Sequence, residues 1–262
     1  MTGEFDGQLA VVTGAAGGIG AAIAHALAAG GADVACIDIN PIDQARLASR
    51  AVRPGQRLQA WVCDVTRSDE VRATCADVQR TLGDASVLIN NVGGSGTERV
   101  VEIEDMTDDA WDRTLSLNLG SVMRFCRSLV PAMKAKRYGR IINVSSTLMN
   151  GMRGAAGTVG ARLPYVAAKA AIVGVTKQLA MDLGQFGIAV NAIAPGFTLP
   201  DEDARITRKF RALTPEQQKP LVADIPMGRP GTGDDMAQAV CFLASPRNSY
   251  VSGQVLAVDG GG

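Results

Sequence analysis

Tyr165 and Lys169 stand four residues apart in a segment of helical spacing, so one helix face carries a phenol and an ammonium able to act as one proton-transfer unit. A free tyrosine, with a pKa of about 10, is a poor base near neutral pH, and a neighbouring cation favours its phenolate. Alone, the pair could simply pack a helix. Its company gives it weight: Thr13-Gly14-Ala15-Ala16-Gly17-Gly18-Ile19-Gly20 near the amino terminus, Asn90-Asn91-Val92-Gly93 and Asn118 in the middle, and Ser145-Ser146 upstream of the tyrosine. In this order the residues read as a nucleotide-dependent oxidoreductase.

The glycine cluster follows an apolar run and opens a helical segment, so its amides can face a pyrophosphate while the helix dipole favours the negative charge. Gly14, Gly18 and Gly20 permit tight turning and close approach. Their spacing is not GxGxxG, but the strand-turn-helix setting calls on the same physics. Asp38 ends the second apolar run, where an acidic side chain accepts from adenosine ribose hydroxyls and repels a 2′-phosphate. Neither Ile39-Asn40 nor Ala16-Gly17 offers an arginine to neutralise that phosphate, so NAD is expected rather than NADP.

Composition narrows the chemistry further. His25 is the single histidine and lies in an alanine-rich stretch, so a Ser-His-Asp hydrolase or a zinc alcohol dehydrogenase is hard to build, and no metal site is expected. Lysine plus arginine (26) equal aspartate plus glutamate (26), which favours a small discrete ligand over nucleic acid or a charged membrane. Cys36, Cys63, Cys75, Cys126 and Cys241 are scattered without CxxC spacing and read as reduced core residues. Met1 to Gly7 is polar and acidic, unlike a secretory signal, and no apolar run reaches spanning length, so a cytoplasmic protein is expected.

Positioning these residues falls to apolar runs at Leu9 to Val12, Val34 to Ile37, Leu58 to Val62, Val87 to Ile89, Ile141 to Val144, Ile188 to Ile193 and Val255 to Val258. Continuous Val, Ile and Ala suggests strands covered on both faces. Between them Ile19 to Ala29, Asp69 to Leu82, Thr107 to Lys136, Tyr165 to Gln185 and Asp234 to Ala244 carry helical spacing. The alternation predicts an α/β, doubly wound (Rossmann) seven-stranded parallel sheet with helices on both faces. With no linker visible, residues 1–262 are expected to be a single NAD-binding domain, the charged, proline-rich stretch at about 198–230 forming a substrate lid.

Taken together, these positions resemble the short-chain dehydrogenase/reductase family, single-domain branch, from about Gly7 to Gly262. The resemblance implies that Gly14, Gly18, Ile19 and Gly20 hold the pyrophosphate, that Asp64 and Val65 lie near the adenine, and that Asn91 and Gly93 support the nicotinamide ribose. It likewise puts Pro195 and Gly196 at the turn after the sixth strand, with Thr198 near the carboxamide. Its catalytic group maps to Asn118, Ser146, Tyr165 and Lys169. Counting from Gly139-Arg140-Ile141-Ile142-Asn143-Val144 selects Ser146, with Ser145 the structural alternative. Lys169 would also bind the nicotinamide ribose, Ser146 would bind the substrate oxygen, and Asn118 would hold a water linking Lys169 to solvent.

Three departures from the family pattern stand out. Val92 replaces an alanine, Pro200 stands about where a threonine is common, and Thr147 to Pro164 is longer than usual, its glycines, Met149 and Met152 suggesting a loop that reshapes the substrate pocket; apolar Leu148, Met149 and Met152 there favour, weakly, an apolar or cyclic substrate. The leading expectation is an NAD-dependent oxidoreductase moving hydride between a secondary alcohol and its ketone. The alternatives are a 3-oxoacyl thioester reductase, against which Asp38 argues because such enzymes usually prefer NADPH, a nucleotide-sensing protein without turnover, and a lyase or epimerase on the same scaffold. The long segments Thr107 to Lys136 and Tyr165 to Gln185 resemble subunit-packing helices, which implies a homotetramer.

Overall fold

The structure, a computed structural model, describes residues 3–94, 103–151 and 159–262, with the backbone alone for 159–162. Seven strands, β1 (Leu9–Thr13), β2 (Asp33–Asp38), β3 (Leu58–Val62), β4 (Val87–Asn90), β5 (Gly139–Val144), β6 (Ile188–Pro195) and β7 (Val255–Val258), form one sheet in the order β3-β2-β1-β4-β5-β6-β7. Every pairing is parallel. The helices are α1 (Gly18–Ala29), α2 (Gln44–Ala48), α3 (Ser68–Leu82), α4 (Asp108–Leu115), α5 (Ser121–Lys136), α6 (Val159–Leu183), α7 (Arg205–Arg211), α8 (Pro215–Val222) and α9 (Gly233–Ala244). Each apolar run of the sequence is a strand, and the doubly wound α/β sheet is the architecture they build.

Strand periodicity sorts the core into two layers. Ala10, Val12, Val34, Cys36, Ile89 and Ile142 pack with α1 and α9, whereas Leu9, Val11, Ala35, Ile37, Leu88 and Ile141 pack with α3, α5 and α6. Cover on both faces holds for the five inner strands. It does not hold at the sheet edges, where Val62 of β3 and Leu256 of β7 are exposed.

The helical segments differ from the sequence reading in three places. Thr107 to Lys136 is interrupted, because α4, capped by Thr107 Oγ1 accepting from Ala110 N at 3.2 Å, gives way to a wide π-type turn at Ser116–Gly120 before α5 begins. Helix α6 starts at Val159, so the end of the Thr147 to Pro164 segment is helix rather than loop, with Pro164 inside it. A proline there lacks the N–H that an uninterrupted helix uses, and the sequence reading begins the helix only after it, at Tyr165. Met152 lies outside the described residues. Within 198–230 the chain forms two short helices, α7 and α8, the second begun by a reciprocal Thr214–Gln217 capping box.

Helix α1 meets the first turn at very close range. A Cβ on Gly20 would stand 2.0 Å from the Gly14 carbonyl oxygen and 2.5 Å from Asn91 Nδ2. Backbone cannot yield to it cheaply, so Gly20→Ala is expected to cost roughly 1–3 kcal/mol of stability through overpacking. The urea midpoint reads this out, and an unchanged midpoint would count against the close approach.

Candidate active site

Strand order reverses direction between β1 and β4, and the loops after the strands leave a crevice at that switch point. A cleft of about 670 Å³ lies there. Gly14, Ile19, Asp38, Asp64, Val65, Asn91, Gly93, Ser146, Tyr165, Lys169, Pro195, Gly196 and Thr198 all line it. Of the residues expected at the site from sequence, Gly18, Gly20 and Asn118 stand just behind its wall.

The glycine turn is built by backbone geometry. Gly14 and Gly18 have φ of 71° and 61°, values that favour glycine. The Gly14 and Ala15 amides donate to the Ile37 carbonyl at 2.7 and 3.2 Å, so the turn lies over the end of β2. Asp38 completes the clamp: its Oδ2 accepts from Ala16 N at 3.0 Å and its Oδ1 from Asn40 N at 2.9 Å. Helix α1 offers no acidic residue in its first turn and no side-chain cap. The Gly18 amide donates instead to the Asp201 carboxylate, so an anion is already held at the start of the helix. This turn, with a carboxylate at the end of β2, fits a dinucleotide.

Thr13 joins the glycine turn to the next loop. Its Oγ1 donates to the Ile89 carbonyl at 3.3 Å and accepts from the amides of Asn91 at 3.0 Å and Val92 at 3.2 Å. Asn91 Nδ2 returns the contact by donating to the Thr13 carbonyl at 3.0 Å. Val92 reaches toward Gly14, where an added Cβ would meet Val92 Cγ2 at 3.2 Å. Asp64 Oδ1 accepts from Thr66 N at 2.9 Å and Thr66 Oγ1 at 2.7 Å, which fixes the turn carrying Val65.

Four polar side chains meet beyond the end of β5. Lys169 is almost wholly buried and its Nζ donates to the Val144 carbonyl at 2.7 Å, lying 5.5 Å from the centre of the Tyr165 ring. Burial lowers its pKa from the usual lysine range to about 8. Burial also pushes the Tyr165 hydroxyl upward, and its hydrogen bond with Ser146 pulls it partly back. Both shifts favour the uncharged forms, so burial here works against the phenolate that a neighbouring lysine was expected to favour.

The two serines divide their work. Ser145 Oγ donates to the Lys169 carbonyl at 2.8 Å and so pins α6 to β5, while Ser146 is the one bonded to Tyr165 and caps the following turn through Leu148 N at 3.2 Å. The sequence count distinguishes the same two positions. Below them, Asn90 Nδ2 donates to Asn143 Oδ1 and Asn143 Nδ2 to Thr176 Oγ1, both at 2.9 Å, a buried polar chain tying β4, β5 and α6 together.

Asn118 sits on the π-type turn with no exposed surface. Its Nδ2 donates to the carbonyls of Gly94 and Thr114, both at 2.9 Å, and its Oδ1 accepts from Gly94 N at 3.1 Å. Both amide hydrogens are therefore spent, and the side chain clamps the loop after β4. Gly93 touches both groups, since a Cβ there would stand 2.6 Å from Asn118 Oδ1 and 2.9 Å from Lys169 Nζ.

The turn after β6 closes the remaining side. Gly196 N donates to the Val258 carbonyl at 3.1 Å, and an added Cβ would collide with Asp259. Thr198 is buried, and its Oγ1 donates to the Gly196 carbonyl at 3.1 Å, which leaves its lone pairs free to accept. Leu148 and Pro200, noted from the sequence as departures near the pocket, line the cleft, and Arg205 and Ile206 of the expected lid stretch line it too. No motif marks Arg205 and Ile206, which arrive at the start of α7. His25 sits half-buried on α1, outside the cleft lining, with its pKa lowered chiefly by burial.

Comparison with known proteins agrees with this geometry. A family model described as enoyl-(acyl carrier protein) reductase matches residues 14–262. The chain is 35% identical to the 3-oxoacyl-[acyl-carrier-protein] reductase FabG of Salmonella typhimurium and 36% identical to nodulation protein G of a Rhizobium species, with 98% of each chain covered in both cases. Among solved structures, a 7α-hydroxysteroid dehydrogenase complexed with NADH and 7-oxo glycochenodeoxycholic acid superposes with a TM-score of 0.85 at 32% identity, covering 98% of this chain and 95% of that one. The chain belongs to the short-chain dehydrogenase/reductase family. It is an oxidoreductase of that type, a class that uses a nicotinamide cofactor.

Proposed function

We propose that this protein is an NAD-dependent oxidoreductase that interconverts a secondary alcohol and its ketone, with Tyr165 as the acid/base. The observation that carries the reading is one cleft with Ser146, Tyr165 and Lys169 among its lining and the Asp38 carboxylate at the end of β2. The nicotinamide, when bound, supplies hydride exchange with the carbinol carbon. Gly14, Gly18, Ile19 and Gly20 would hold the pyrophosphate, Asp38 the adenosine ribose, and Asp64 and Val65 the adenine. Asn91, Gly93 and Lys169 would support the nicotinamide ribose, with Pro195, Gly196 and Thr198 at the carboxamide.

The chain's own residues handle the proton. Ser146 hydrogen-bonds the substrate oxygen and stabilises the charge that develops there. Tyr165 gives its proton to that oxygen in reduction and removes it in oxidation, while the ammonium of Lys169 stabilises the resulting phenolate. Asn118 holds the loop after β4 against Lys169 and completes the catalytic group. The water that the resemblance places at Asn118 as a proton path would be held by its main chain, because its side-chain amide is committed to Gly94 and Thr114.

These assignments fix a pH dependence. Reduction needs Tyr165 protonated and Lys169 charged, and Lys169 loses its charge as pH rises through about 8. Ketone reduction, measured as kcat/KM, is therefore expected to be level near neutrality and to fall above that value. A rate that climbs across the same range would contradict the assignment.

The carboxylate of Asp38 supports NAD over NADP, and the neighbour complexed with NADH supports it further. That neighbour and the FabG relatives favour two substrate classes, ring ketones and 3-oxoacyl thioesters, the second remaining the alternative reading. Exposed Met123 on α5 and Met181 on α6 support the homotetramer that the two long helices imply. Five unpaired thiols accord with a reducing compartment such as the cytoplasm. The test is reduced-nicotinamide absorbance with NAD or NADP against a panel of aliphatic and cyclic alcohols and 3-oxoacyl thioesters. Turnover with NAD supports the reading, and turnover with NADP alone overturns it.

A further inference from the structure

Asp201 bridges two parts of the protein that are 183 residues apart in sequence. One carboxylate oxygen accepts from Ala204 N at 2.6 Å, steadying the entry to α7, and the other accepts from Gly18 N at the start of α1. A capping role would need the first contact only. The second takes the amide that opens a 12-residue helix which supplies no cap or acidic residue of its own. Pro200 follows it in, and a Cβ on Gly18 would lie 3.7 Å from Pro200 Cγ. The strap that follows β6 therefore covers the glycine turn, carboxylate inward.

We propose that Asp201 is an internal stand-in for the dinucleotide's pyrophosphate, so that the cofactor binds by displacing this carboxylate and with it the strap leading into α7. The proposal rests on the cofactor reading above. A single amide cannot serve both anions fully, and two negative groups at one helix start repel each other. Arg205, adjacent to the Ala204 contact, lines the same cleft and makes no ion pair among the described residues. A pyrophosphate thus replaces a weaker anion beside an available cation. Cofactor affinity and strap position become one equilibrium, and the apparent affinity falls by the fraction of molecules in which Asp201 holds the seat.

The experiment compares the full-length protein with Asp201→Asn, in which an amide oxygen can still accept from Ala204 N while the charge is gone. NADH binding is followed by fluorescence, and ADP-ribose and adenosine are measured as competitors. Replacing a charge-assisted hydrogen bond by a neutral one is expected to tighten NADH and ADP-ribose binding roughly three- to tenfold. Adenosine, which lacks phosphate, should bind both proteins equally. Asp201→Ser, whose hydroxyl can also cap, should give the same gain and guards against a folding effect peculiar to one variant. Unchanged or weaker NADH binding in both variants, with the original protein still binding it, overturns the proposal alone. An equal gain for adenosine also overturns it, because the effect would not be centred on the pyrophosphate. Failure of every protein to bind NADH or ADP-ribose overturns the cofactor reading together with it.

Discussion

Tyr165→Phe is expected to lower turnover by roughly 10²- to 10⁴-fold, the usual worth of a positioned acid/base group. Phenylalanine keeps the ring that lies 5.5 Å from Lys169 Nζ and removes only the hydroxyl. Ser146 retains its bond from Leu148 N, and Lys169 retains its bond to Val144, so neither neighbour is released. NADH affinity should therefore stay within about twofold, a change worth well under 1 kcal/mol. The effect must fall on kcat, because the missing proton transfer belongs to the transition state. Steady-state kinetics beside a binding titration separates the two; near-normal kcat with intact binding would remove Tyr165 from the acid/base role.

The second large effect concerns the choice of dinucleotide. Asp38→Asn combined with Ile39→Arg should shift the NAD to NADP preference, read as a ratio of kcat/KM values, by roughly 10²-fold or more. The first change removes a carboxylate that repels a 2′-phosphate, and the second supplies a guanidinium able to pair with it. Asparagine can still accept from Ala16 N, so the clamp on the glycine turn survives. Ile39 is 61% exposed, so an arginine there costs no core packing. An unchanged ratio would mean that selectivity resides elsewhere in the cleft.

Much of the fold was legible because strands of a covered parallel sheet are written as unbroken Val, Ile and Ala. The covered strands β1, β4 and β5 hold Leu9 to Val12, Val87 to Ile89 and Ile141 to Val144. Helices α2, α7 and α8 were not legible, since each is short and lacks a long apolar stripe, α2 and α8 starting from side-chain caps and α7 beside the Asp201 contact at Ala204 N. Within the candidate site, Tyr165 and Lys169 could be paired because their relation is local, one helical turn. Contacts between distant segments left no trace: Asp38 to Ala16 spans 22 residues, and Asp201 to Gly18 crosses most of the chain. Asn118 was assigned by resemblance, but its commitment to Gly94 depends on the π-type turn, which no periodicity announces. Burial around Lys169 was equally invisible, although it governs the expected pH profile.

The measurement that bears most directly on the central claim is a deuterium transfer with the preferred alcohol labelled at its carbinol carbon. The account predicts that, with NAD supplied, the label appears in the reduced nicotinamide with a stoichiometry of about one, and that Tyr165→Phe nearly abolishes the transfer while still binding NADH. Label that washes into solvent, or transfer that survives the loss of the Tyr165 hydroxyl, would contradict it.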